Sequence, residues 1–68
     1  MKTVDARGLS CPEPVIMIRK AMMSKGNHYV MIVDNPTSRE NVMRYAEHHG
    51  YRVTITEAGG EYTLSMEK

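Results

Sequence analysis

The residues that could do chemistry stand together in Arg7-Gly8-Leu9-Ser10-Cys11-Pro12-Glu13-Pro14, which holds the only cysteine of the 68-residue chain. The run after it, Val15 to Met23, has the spacing of a helix. Pro12 is read as the first helical residue, where a fixed φ and a missing N–H are both tolerated. Cys11 then falls at or beside the N-cap, where backbone N–H groups and the positive end of the helix dipole favour an anion such as a thiolate. Arg7 and Arg19 are the nearest cations in sequence. Glu13 opposes them with a neighbouring negative charge, and Pro12 and Pro14 withhold two of the N–H groups that could face the sulfur. The balance predicts a moderately lowered thiol pKa, suited to accepting a sulfur atom.

Other thiol chemistries lack partners. A dithiol motif needs a second cysteine. A Cys–His protease needs a base and an orienting group around a cleft, which 68 residues rarely supply. Zinc would need Cys11 with His28, His48 or His49, and the adjacent pair His48-His49 diverges by about 100° on a helix, unlike ligands at i, i+4. No metal site is expected. The alternative for Cys11 is a buried, inert, small apolar residue.

These residues need a scaffold, and the chain reads as one domain, 1–68. Lys2 to Ala6 is a short strand, and Gly8 turns the chain into the motif. The first helix is expected from Pro12 to about Ser24, ended by Gly26-Asn27. Its apolar face carries Val15, Ile18 and Met22, extended by Met17 and Ala21. Ile16 and Met23 fall outside that face beside Arg19 and Lys20, which makes these four residues candidates for partner docking. His28 to Asp34 is an almost unbroken apolar run, the pattern of an interior strand. Thr37-Ser38-Arg39-Glu40 has capping-box spacing, with Thr37 as N-cap, and opens a second helix from Ser38 to about His49. That helix is expected to bury Val42, Tyr45, Ala46 and one side of His49, with Met43 at the border and Gly50 as its stop. Tyr51 to Glu57 and Tyr62 to Glu67 alternate around Gly59-Gly60, a hairpin signal. The order is βαβαββ. The fold class is α+β: a two-layer α/β sandwich in which a four-stranded mixed sheet carries both helices on one face.

The formal charge of +1, with both signs dispersed, gives no reason to expect direct nucleic-acid or membrane binding. The N-terminal residues lack the apolar core of a signal peptide, and a single cysteine fits a reducing compartment, so a cytoplasmic location is expected. Seven methionines, with no Phe or Trp, suit either an irregular core or an adaptable binding surface.

Val4 to Pro14, with its Asp-x-x-Gly-x-x-Cys-Pro-x-Pro run, resembles the signature of the TusA/SirA/YedF-like sulfur-carrier family. Val15 to Lys20 is similar to that family's first helix, and the likeness extends through Val33-Asp34-Asn35-Pro36 to the closing hairpin. The resemblance implies that Cys11 carries sulfane sulfur as a persulfide, with no other cofactor, and that Arg7, Gly8, Pro12, Glu13 and Pro14 support it. It implies a cysteine desulfurase as donor and a downstream acceptor protein, in some members on the way to tRNA thiolation. Ser38 to Val42 and Tyr51 to Val53 look closer to the selenium-associated YedF branch, whose members often carry a further C-terminal domain. A selenium-associated carrier, or a regulatory domain with a structural Cys11, is the alternative.

Overall fold

The computed structural model describes residues 2–10, 12–24 and 26–68. The elements follow in the expected order: β1 (Lys2–Asp5), α1 (Glu13–Met22), β2 (His28–Val33), α2 (Pro36–His48), β3 (Arg52–Ala58) and β4 (Glu61–Glu67). They build a four-stranded sheet in the order β1-β2-β4-β3. β1 and β2 are parallel, while β4 runs antiparallel to both β2 and β3. The apolar β2 is therefore an interior strand, as its composition predicts.

Register sorts the two faces. Tyr29, Met66 and Val53 are cross-strand partners, and so are Met31, Leu64 and Ile55. Tyr29, Met31, Val33, Leu64 and Met66 are buried beneath Ile18 and Ala21 of α1 and Val42 and Ala46 of α2. Both helices thus cover one face of the sheet, and burying each such large apolar side chain contributes about 1.5–3 kcal/mol. Gly59 and Gly60 form the β3–β4 turn with φ of 59° and 80°, the double positive φ that a tight two-residue hairpin requires and glycine accepts.

Several local expectations are corrected. Helix α1 is shorter at both ends than the predicted span from Pro12 to Ser24. Pro12 is its N-cap residue (φ −99°, ψ 11°), because the Glu13 N–H bonds back to the Ser10 carbonyl at 2.9 Å and the Pro12 carbonyl accepts the first helical bond from Ile16 at 3.1 Å. The proline inside the first turn is Pro14, which is buried with Ile18 and Ala21. Val15, Met17 and Met22 consequently flank the buried stripe as partly covered residues. At the other end, Met23 and Ser24 close the helix with bonds to Lys20 and Ala21 three residues back. Gly26 instead takes part in the turn into β2.

Helix α2 starts two residues before the predicted Ser38. Asn35, in extended conformation, is its N-cap, and its side-chain oxygen accepts the Ser38 N–H at 2.8 Å. Pro36 then sits in the first turn, where its missing N–H costs nothing. Thr37 lies inside the helix and is exposed. The C-terminal stop is as predicted: Gly50, at φ 85°, donates to the Glu47 carbonyl at 3.1 Å while Tyr51 donates to Ala46 at 3.0 Å, the Schellman pattern. His49 is exposed rather than half-buried. Its ring lies on Tyr45, centroids 4.2 Å apart, and its Nδ1 is 2.9 Å from the Tyr45 carbonyl.

Candidate functional site

Because β1 and β2 are parallel neighbours, their C-terminal ends, and the starts of the helices that follow, share one end of the sheet. That edge is where open α/β sheets present functional groups. Cys11 itself lies outside the described residues, so its surroundings are built from the segments on either side. Ser10, Pro12 and Glu13 are all exposed.

The loop entering the motif is tied to the β2–α2 junction by two bonds. The Gly8 N–H donates to Asp34 Oδ2 at 2.7 Å, and Asn35 Nδ2 donates to the Leu9 carbonyl at 3.3 Å. Asn35 thus caps α2 with one end of its amide and holds the loop with the other. Gly8 has φ 80°, and a Cβ placed on it would meet no atom within 4 Å. The glycine is required by the backbone conformation, not by crowding. The loop begins on β2 as well, where the Ala6 N–H donates to the Ile32 carbonyl at 2.9 Å.

Arg7 does not have a free charge. Its Nη2 and Nε grip the two oxygens of Asp5 at 2.8 and 3.0 Å, and its backbone N–H also donates to Asp5. Its Nη1 reaches Glu61 at 3.4 Å, linking the loop to the β3–β4 turn. Hydrogen bonding from Arg7, first from its guanidinium and then from its backbone N–H, lowers the Asp5 pKa to about 2. The same pairing raises that of Arg7. Arg7 therefore acts here as a brace between two carboxylates.

The four docking candidates fall on one exposed stripe of α1, at i, i+3, i+4 and i+7. Ile16 and Met23 are 42% and 75% exposed, the large apolar side chains most open to solvent among the described residues. Arg19 and Met23 also enter a groove of about 420 Å³ with Met22, Tyr45, Tyr51 and others at the C-terminal end of α1. Ile16 and Lys20 are not among its lining residues. The groove depends on residues from α2 and the chain end that the sequence reading did not single out. Asp34, Asn35 and Glu61 were likewise missed as supports of the motif. Only the parallel β1–β2 pairing and the hairpin bring them beside it.

Among the described residues, no three His, Cys, Asp or Glu side chains converge to hold a metal ion, and no helix is long and apolar enough to cross a membrane.

A βαβαββ sandwich whose loop into α1 lies at the shared end of two parallel strands defines a small two-layer α+β domain. The model of the family described as sulfurtransferase TusA matches residues 2–68. A candidate sulfur carrier protein of Methanocaldococcus jannaschii is 36% identical over 59 residues, covering 84% of this chain and 79% of that protein. The crystal structure of a SirA-like protein from Desulfitobacterium hafniense superposes with a TM-score of 0.90 at 34% identity, over 98% of this chain and 96% of that one. The chain belongs to the TusA/SirA-like family of sulfur carriers.

Proposed function

We propose that this protein relays sulfur as a persulfide on Cys11, receiving it from a cysteine desulfurase and passing it to an acceptor protein. The observation that carries the reading is the anchoring of the segment next to Cys11: Asp34 and Asn35 hold Gly8 and Leu9 on one side, and the Pro12–Pro14 helix start follows on the other. The exposed Ser10, Pro12 and Glu13 leave the approach to this segment open to another protein.

In loading, the Cys11 thiolate attacks the terminal sulfur of the donor persulfide. The donor S–S bond breaks, the donor cysteine leaves as a thiolate, and Cys11–S–SH forms. In unloading, an acceptor thiolate attacks that terminal sulfur and Cys11 leaves as a thiolate. Sulfane sulfur changes hands with no external oxidant or reductant. Both steps depend on thiolate fraction and access. The acceptor decides whether the sulfur proceeds to tRNA thiolation or another sulfur pathway, and the reaction belongs to a reducing compartment such as the cytoplasm.

The test is mass spectrometry after incubation with a cysteine desulfurase and cysteine. The expected result is a gain of one sulfur atom, reversed by dithiothreitol and absent in Cys11→Ser, whose thermal unfolding stays that of the parent. No adduct across several desulfurases, or an adduct that persists in Cys11→Ser, overturns the reading.

A further inference from the structure

The groove at the C-terminal end of α1 has the chemistry of a recognition site. Met22 and Met23 supply thioethers from α1, and Met23 is 75% exposed. The stacked Tyr45–His49 pair, with rings inclined by 29°, supplies an aromatic surface from α2. Methionine, tyrosine and arginine are enriched at protein interfaces because they combine contact area with adaptable shape. Its charged side chains are also of one sign: Arg19 and Lys68 line it, and no acidic side chain joins them among the described residues. Neither cation forms an ion pair among the described residues, and the Lys68 ammonium rests 5.1 Å from the Tyr51 ring centroid.

From this charge pattern we infer that the groove receives a carboxylate-bearing protein segment with a large apolar anchor, contributed by a partner in the sulfur relay. The anchor rests on the thioethers and the aromatic pair, while glutamate or aspartate side chains meet Arg19 and Lys68. A polyphosphate chain is disfavoured, because the adjoining depression, which shares Tyr51 and Lys68 with the groove, brings in Glu47 and Glu67 with Arg52 as the single further cation. A short carboxylate segment can end before those acids, whereas a continuous phosphate backbone would run across them. The α1 residues that line the groove begin at Arg19, beyond the first turns of a helix that starts at Glu13, about 9 Å along its axis. The Ile16-Arg19-Lys20-Met23 stripe bridges that distance. A segment seated in the groove therefore holds its protein along this stripe while leaving the exposed Ser10, Pro12 and Glu13 uncovered.

This inference rests on the relay reading for the partner's identity, and its test separates the two. The probe is a fluorescein-labelled decapeptide alternating glutamate with leucine and phenylalanine, titrated into the 68-residue protein while anisotropy and amide NMR shifts are followed. Shifts are expected at Met22, Met23, Tyr45, His49 and Tyr51, with binding unchanged in Cys11→Ser. Replacing the glutamates by glutamine, or introducing Arg19→Glu or Met23→Glu at these exposed positions, is expected to weaken binding about tenfold. Sulfur uptake by Cys11 of the parent protein from inorganic polysulfide needs no docking, so its failure would count against the relay alone. Equal binding of the glutamine peptide, shifts confined to other surfaces, or stronger shifts of the groove residues by a uridine oligonucleotide would overturn the inference.

Discussion

Asp34, the residue that follows β2, accepts the backbone N–H of Gly8 at 2.7 Å across 26 positions of sequence. Together with the Asn35–Leu9 bond, it fixes the loop before Cys11 against the start of α2. An exposed charge-assisted hydrogen bond of this kind contributes about 1 kcal/mol. Asp34→Ala should lower unfolding stability by roughly that amount, accelerate exchange of the Gly8 amide, and slow sulfur loading by loosening the motif. Asp34→Asn keeps an acceptor oxygen and should recover most of the Gly8 protection. Urea unfolding with amide hydrogen exchange checks this, and unchanged Gly8 exchange in Asp34→Ala would refute the anchoring role.

The second anchor shows what could be read from the sequence. Element order, the interior position of β2, the Gly59-Gly60 turn and the exposure of Ile16 and Met23 all follow from periodicity and turn chemistry. The cap of α2 did not, because Thr37 and Glu40 have capping-box spacing while Asn35-Pro36 reads as a strand stop. Both pairs are locally consistent, and the Asn35 bond to Leu9 that joins the cap to the loop appears only once β1 and β2 are adjacent. Arg7 illustrates the same limit, since Glu61 stands 54 residues away from it. The cap assignment is testable: Asn35→Ala should cost about 1 kcal/mol or somewhat more. Thr37→Ala, at an exposed position, should stay within about 0.5 kcal/mol of the parent. Thermal melts of the two variants decide it, and the reverse ranking would return the cap to Thr37.

Asp5 gives the protein an acid-side signature. Its folded pKa, about 2, lies below its ordinary 3.8 because Arg7 bonds to the ionised form. A depressed carboxylate pKa adds stability that is complete above the unfolded value and fades as pH falls through the folded one. The Asp5 contribution should therefore be full at neutral pH and decline between about pH 4 and pH 2. Both groups are exposed, so the effect on stability is small and is diminished by salt. Carboxyl-carbon NMR should show Asp5 titrating near 2, and Arg7→Met should return it towards 3.8. The same variant frees Glu61 and should increase amide exchange in the β3–β4 turn. Ordinary Asp5 titration in the parent would remove Arg7 as a brace.

The turn between α1 and β2 depends on the Tyr29 hydroxyl. Tyr29 is 1% exposed, yet its oxygen accepts the Gly26 N–H at 2.6 Å and lies 3.2 Å from Ser24 Oγ. The Tyr51 hydroxyl closes the same corner by donating to the Gly26 carbonyl at 3.2 Å, and burial raises its pKa. Tyr29→Phe leaves the ring packed and removes only the oxygen, exposing the cost of an unpaired Gly26 N–H, about 1–3 kcal/mol. Gly26→Ala attacks the corner from the other side, because the new Cβ would lie 2.8 Å from the Tyr29 oxygen. The clash falls on a hydroxyl already held by the Gly26 N–H and by Ser24 Oγ, so relief requires the turn to shift. Each variant should lower the unfolding midpoint, and the double variant should lose less than the sum, since Phe removes the atom that the alanine strikes. A double-mutant cycle by urea unfolding measures this directly. Strict additivity would mean that Gly26 and the Tyr29 hydroxyl do not share the corner. Because Tyr51 also lines the groove at the end of α1, loosening this corner should weaken peptide binding there while leaving polysulfide uptake by Cys11 unchanged.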